Sequence, residues 1–281
     1  ELGAGGFEGV KLVGYFAGSQ KYIRFAKLGV HAYLASNILG RPADLSWSDA
    51  DLKAYFKEIK TSDLNVYDTA KRVVHASNYL VTPNKLCYEY PEFFSTTRDA
   101  ARLQGIYFDL FPEIRAWQLD LCKRVDGTKR KEAEGDVDPW TLGVCYAQNP
   151  FGYIHRFYDV LDWKKVEIEE GESQWIWGFG EDAKRLVSFL PQSTAAAIIK
   201  RAGKTLWYRY PAVGQTMRLW IHDSIMGEVQ EGVMVDQCLE VSKLVMEEPI
   251  PELPLDPAWG MGEFLSIGSE AEVGRSWATM G

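Results

Sequence analysis

Arg218-Leu219-Trp220-Ile221-His222-Asp223-Ser224-Ile225-Met226-Gly227-Glu228-Val229 is the stretch on which the reading of this chain turns. Leu219, Trp220 and Ile221 suit a buried strand, and Ile225 and Val229 suit a second one after a polar tip. The tip is His222-Asp223. A carboxylate and an imidazole at the end of a rigid hairpin are placed for metal chemistry. An aspartate there is also an ordinary turn residue, because its side chain bonds its own backbone. The hairpin alone therefore leaves both readings open.

The 281 residues and 31.8 kDa suffice for one large domain or two intimate subdomains. With 46% hydrophobic and 25% charged residues, the composition is that of a globular protein. Aromatics reach 13%, with ten Trp, which fits a large core and equally a surface that stacks bases. A net charge of −8 argues against a sequence-independent DNA coat; a nucleic-acid partner has to be met by local basic faces. Cys87, Cys122, Cys145 and Cys238 form no CxxC pair, so neither a zinc site nor a disulfide framework is expected, and a reducing cytoplasm is the expected home. No apolar run approaches the roughly 18 residues of a membrane span, and no signal peptide is recognisable. The chain starts at Glu1 without Met and inside what reads as a structural motif, so a preceding segment is expected.

Along the chain, residues 1–5 read as a short glycine-rich strand and 7–17 as a buried helix with Gly18 as its cap. Apolar spacing from Tyr22 to Leu39 predicts one helix stopped by Gly40. Ser48 is placed to cap a helix over 49–59. Helices are predicted over 63–80, 90–104 and 112–125, the last with Pro112 in its first turn. The charged segment 126–139 reads as a solvated loop. Residues 140–160 read as β-rich around the turn Asn149-Pro150-Phe151-Gly152, and 163–168 as a further strand. A long helix over 181–207 contains Pro191, a possible kink. After the hairpin come an amphipathic helix over 235–248, an extended proline-rich segment over 249–257 and a strand over 264–267 beside the hairpin. Helices first, then strands interleaved with helices, indicate an α+β fold.

Lys71, His75 and Tyr79 are spaced i, i+4, i+8 and share one helix face. A cation, an imidazole and a phenol in a row suit a nucleoside triphosphate. The spacing is equally that of a half-buried helix face with a surface lysine.

Six stretches taken together resemble the family A (DNA polymerase I-like) DNA polymerases, with phage-type members the nearest in feel. They are Leu28-Gly29-Val30-His31; Lys71 to Leu86 with His75 and Tyr79-Leu80-Val81-Thr82-Pro83-Asn84-Lys85-Leu86; Leu110 to Trp117; Asn149 to Tyr153; Phe189-Leu190-Pro191-Gln192-Ser193-Thr194-Ala195-Ala196; and Ile221-His222-Asp223-Ser224. They occur in the family's order and cover almost the whole chain. The resemblance implies a palm, a small antiparallel sheet backed by helices, with an inserted helical fingers subdomain. Residues 1–40 would begin the palm, 41–125 form the fingers and 126–281 complete the palm. A thumb and any exonuclease portion would lie in a missing N-terminal part.

The resemblance also implies nucleotidyl transfer from a dNTP to a primer 3′-hydroxyl on primer-template DNA. Two Mg²⁺ ions roughly 3.5–4 Å apart would hold the attacking and leaving oxygens. Asp223 would be a metal ligand, and the Ala4 backbone carbonyl another. Lys71 would neutralise the phosphates and protonate the leaving group. His31 would bond a phosphate oxygen, His75 would stack on the nucleotide, and Tyr79 with Glu8 would lie beneath the sugar. Gln192 and His222 would meet the minor groove or the primer. Arg72 and Arg185, with Lys184, Lys200, Arg201 and Lys204, are candidate phosphate contacts.

The chain departs from the family pattern at five positions. The position of the first catalytic Asp falls on Gly3, or on Ala4 in a frame shifted by one, and neither supplies a carboxylate. Glu1 shares the strand face of Gly3, one pleat away. Ser224 replaces a usual Glu, Tyr67 stands in place of an arginine, and Ala76 and Leu80 stand where glycines are usual. The departures keep two alternatives alive: an impaired polymerase-fold protein that binds DNA, and a metal-dependent nuclease built on His222 and Asp223.

Overall fold

The computed structural model describes residues 2–3, 8–132, 144–169, 172–221, 224–230, 232–271 and 273–275. They form two compact units: residues 1–12, 149–153 and 191–281, and residues 13–148 and 154–190. The first elements in the chain are β1 (Leu2–Gly3), α1 (Glu8–Phe16), α2 (Gln20–Leu28), α3 (Val30–Ile38), α4 (Asp49–Ser62), α5 (Leu64–Asn78), α6 (Pro83–Glu89), α7 (Thr97–Leu110) and α8 (Pro112–Glu132). There follow β2 (Cys145–Gln148), β3 (Ile154–Phe157), β4 (Leu161–Glu169), β5 (Glu172–Phe179), α9 (Ala183–Arg209) and α10 (Pro211–Gly214). The chain closes with β6 (Met217–Ile221), β7 (Ser224–Gly227), α11 (Val233–Met246), β8 (Ile250–Pro254), β9 (Phe264–Leu265) and β10 (Glu270–Ala271).

The helical unit is organised around α3 and α5. Phe25 of α2 stacks on Tyr33 of α3, ring centroids 4.0 Å apart, and Tyr22 meets Phe111 edge-on at 4.7 Å. Leu34, Leu52, Phe56, Ile59, Val73 and Val74 are buried around this aromatic centre. Where α5 ends, the core turns polar. Tyr22 Oη donates to Asn78 Oδ1 at 3.0 Å, Tyr107 Oη lies 2.5 Å from the same oxygen, and Gln118 Nε2 donates to the Ser77 and Asn78 carbonyls. These bonds anchor the end of α5, which Tyr79 caps. Leu80 follows at φ +56°, in the left-handed region that normally favours glycine. The sequence thus carries Leu where the resemblance expects Gly, while the backbone keeps the glycine-like turn.

The other unit holds a four-stranded antiparallel sheet in the order β10-β1-β7-β6. Its core packs Ile225 of the sheet with Ile199, Ala202 and Leu206 of α9 and Val245 and Met246 of α11. Gly203 faces the sheet because a Cβ there would lie 2.5 Å from Trp220 Cζ2. Pro191 sits inside α9 without ending it.

Several expected elements are corrected. The helix over 22–39 is two helices, because Gly29 adopts φ +132°, which ends α2 and starts α3. The helix over 90–104 begins later and runs further: residues 90–96 are not helical, and α7 is opened by Thr96, whose side chain accepts from the Asp99 N–H, while α6 ends before residue 90. The loop over 126–139 is helical as far as Glu132; residues 133–143 lie outside the described residues. The strand over 264–267 does not join the hairpin: β9 pairs with β8, and β10 is the strand beside β1. The strand β5, paired with β4 from Leu161↔Phe179 to Glu169↔Glu172, has no counterpart in the sequence reading. The capping of α4 by Ser48 is as expected, its hydroxyl accepting from Asp51 N–H.

Candidate functional site

Helices α3 and α5 bring His31 and His75 together, ring centroids 5.3 Å apart and planes tilted by 37°. Val30 and Leu34 anchor α3 in the core and leave His31 half-buried beside α5. Val73, Val74 and Ala76 do the same for α5, so Lys71 is exposed while His75 is half-buried one turn on. Tyr67, a further turn towards the start of α5, meets His31 edge-on at 6.1 Å, and Lys60 of α4 lies over the Tyr67 ring at 5.8 Å. Burial holds the His31 imidazole down to about 3, with His75, Lys71 and Lys60 adding to the effect. Burial and then Lys71 lower His75 in the same way. Both rings are therefore neutral at physiological pH. His31 Nε2 is buried with no hydrogen-bond partner. The Tyr79 phenol is pushed up to about 12 by burial, so it stays protonated.

Lys71, His75 and His31 thus belong to one helix pair, and Tyr79 caps the end of α5. Lys60 was not foreseen, because α4 approaches this face only through the fold. The arrangement offers a cation at the surface with two neutral imidazoles behind it, while Tyr79, at the end of α5, acts on Tyr22 and Tyr107 instead. It suits a polyanion carrying an aromatic group. Beyond Tyr79 the chain turns into a cleft of about 480 Å³ bounded by Leu80, Thr82, Gln104, Phe108, Arg115 and Phe179.

In the other unit, β7 lies between β1 and β6. Ser224 pairs with Ile221 on one side and with Gly3 on the other. The strand carrying Gly3 therefore runs beside the base of the hairpin tip. His222 and Asp223 themselves lie outside the described residues, as do Glu1 and Ala4, and Glu8 is described only as backbone at the start of α1. Among the described residues no group of three or more His, Cys, Asp or Glu side chains is placed to hold a metal. Gly3 brings no side-chain oxygen to the position opposite Ser224. The sequence leaves Asp223 as the single carboxylate of the tip, and this donor set does not fit a centre of two dications bridged by carboxylates.

Against known proteins, no family model and no curated protein matches the chain. The solved structures do give a match. The POL domain of Pol1 from M. smegmatis, in complex with DNA primer-template and dNTP, superposes with a TM-score of 0.60 at 18% identity. The match covers 96% of this chain and 38% of that one. The chain has the fold of a polymerase domain, mixed helices with small antiparallel sheets, and spans 38% of the length of the chain it matches.

The remaining candidates are dispersed. Arg72 packs its guanidinium on Phe93 at 3.6 Å and on Tyr90 at 5.1 Å, with its Nη1 on the Asp68 carbonyl. It is a packing residue in this geometry. Arg185 pairs with Asp182 at 2.9 Å, and Arg201 with Glu252 at 2.6 Å. Lys200 lies over the Tyr153 ring at 5.4 Å. Gln192 is exposed on α9, and Lys204 is exposed further along the same helix. Asn149 closes its turn by accepting from Phe151 and Tyr153 N–H and donating to Ser193. No described helix is long and apolar enough to cross a membrane.

Proposed function

We propose that this chain is the fingers and palm of a family A, phage-type DNA polymerase that binds primer-template DNA and a dNTP. The observation that carries the reading is the grouping of His31, His75 and Lys71 in a chain with a polymerase-domain fold. Lys71 takes the phosphate charge, His31 offers its buried nitrogen to a phosphate oxygen, and His75 and Tyr79 hold the base and sugar end. Residues 1–40 and 126–281 are assigned to the palm and 41–125 to the fingers. Gln192 and His222 are assigned to the primer-template and Arg185 to its phosphates. A cytoplasmic setting is part of the same proposal.

The pairing of Gly3 with Ser224 supports a second reading beside this one. With no carboxylate at position 3 to join Asp223, the chain binds primer-template and nucleotide but transfers poorly. Primer extension with Mg²⁺ and all four dNTPs separates the possibilities. Template-dependent incorporation supports the polymerase; tight primer-template binding without extension supports the binding protein. Strand cutting without incorporation would overturn both in favour of a nuclease.

A further inference from the structure

We infer that the His31–His75 pair makes polyanion binding on the α3–α5 face proton-coupled: the pair takes up a proton when a polyphosphate seats beside Lys71. The inference rests on the nucleotide-site reading above and adds a property that the reading does not contain. Three observations carry it. The two rings are 5.3 Å apart at a shallow tilt, close enough for one anionic group to meet both. His31 Nε2 is buried and has no hydrogen-bond partner. The charged groups acting on His31 are Lys71 and His75 of α5 and Lys60 of α4, and the one acting on His75 is Lys71. Among the described residues no carboxylate acts on either ring, and α2 and α7, which also pack on α3, contribute none.

In the free chain this surrounding disfavours an imidazolium, since cations and burial act in the same direction. A polyphosphate reverses both effects. Its charge outweighs the nearby lysines, and its oxygens accept a stronger hydrogen bond from an imidazolium than from a neutral ring. Protonating one imidazole makes both of its nitrogens donors and the bond to the polyphosphate charge-assisted. The proton comes from solvent and no bond is broken. The same lysines disfavour the competing occupant, a transition-metal ion chelated by the two neutral imidazoles.

The sequence holds only four histidines, so ¹⁵N-edited imidazole spectra of the whole chain can follow each ring. His155, packed on Phe157 and Phe189 outside the cluster, serves as the reference. The probe is inorganic tripolyphosphate without metal ion. Its saturation is expected to raise the titration midpoint of His31 or His75 by at least one pH unit and to leave His155 in place. Affinity is then expected to fall about tenfold per pH unit as pH rises through the raised midpoint, one proton being linked. His75→Gln and His31→Gln measured in parallel remove the probe's own titration from that slope. Binding with both imidazoles still neutral and a slope unchanged in both variants would overturn the inference while leaving the nucleotide site standing. Absence of tripolyphosphate binding would remove the site itself. Tighter binding of Zn²⁺ than of tripolyphosphate, with both rings shifting as neutral ligands, would replace the inference by a metal site.

Discussion

Burial keeps His31 and His75 neutral in the folded chain, whereas in the unfolded chain each titrates near 6.5. Their folded values are lower, so between the two values the unfolded state binds more protons and stability falls as pH falls. For His31 the loss begins near pH 6.5 and continues toward 3. Melting temperatures taken from pH 7.5 to 4.5 are expected to drop more steeply for the native chain than for His31→Gln, whatever the variant's melting temperature at pH 7.5. Parallel curves would mean that His31 is hydrated in the folded state. Lys71 makes the complementary case. It is exposed, so Lys71→Ala should leave the melting temperature nearly unchanged. It should weaken dNTP binding about tenfold or more, the scale of one hydrogen bond to a charged group. Equilibrium dialysis with a labelled dNTP checks this. The spacing of Lys71, His75 and Tyr79 was legible in the sequence because it is a property of one helix. Lys60 and the Tyr22–Asn78–Tyr107 bonds were not, because they join helices far apart in the chain.

At the scale of elements, the contact of α9 with β6 is made at a residue without a side chain. A methyl at position 203 would meet the Trp220 indole at 2.5 Å, so one of the two has to move. Gly203→Ala is expected to destabilise by about 1–3 kcal/mol, the usual range for overpacking. The indole is partly exposed, with 48% of the residue accessible, so swinging outward is its available escape. In Gly203→Ala/Trp220→Ala, the Gly203→Ala step should then cost much less than it does alone, which denaturant melts of the four proteins in the cycle would show. Equal costs in both backgrounds would mean that the backbone of α9, and not the indole, is what limits the approach. The elements that were misjudged share a cause. Apolar periodicity runs through Gly29 without a break, and only its φ of +132° separates α2 from α3. Lys129-Arg130-Lys131 has the composition of a loop, yet it continues the helix started at Pro112. Helix propensity of Lys, Arg and Glu is high, and charge alone does not end a helix. In β4 and β5, the tryptophans and glutamates alternate too irregularly to announce a hairpin, although the pairing is regular from Leu161 to Glu167.

For the whole molecule, the α3–α5 residues and the hairpin belong to different units and are open to separate tests. Lys71, His75 and His31 belong to the helical unit, while Gly3 and the Ile221–Ser224 hairpin belong to the sheet unit. Defects in one should therefore leave the other's measurable property intact: nucleotide binding for the first, divalent-ion dependence for the second. Gly3→Asp is the decisive substitution. β1 is short and its register is fixed on both sides, Gly3 against Ser224 and against Glu270, so the side chain added at position 3 joins a strand next to the hairpin tip. A strand position accepts a side chain in ordinary extended backbone, and under the proposed function the added carboxylate would join Asp223 as an oxygen donor for a hard dication. Incorporation in primer extension is expected to rise about a hundredfold, the scale on which one charge-stabilising group acts in catalysis. The Mg²⁺ concentration for half-maximal activity should fall, and the affinity for dNTP in the absence of metal should not change. A folded Gly3→Asp chain that binds primer-template and dNTP but shows neither gain would separate this strand from the chemistry. The first catalytic position would then have to be sought at Glu1 or outside this chain, and the polymerase fold would remain as a platform for binding.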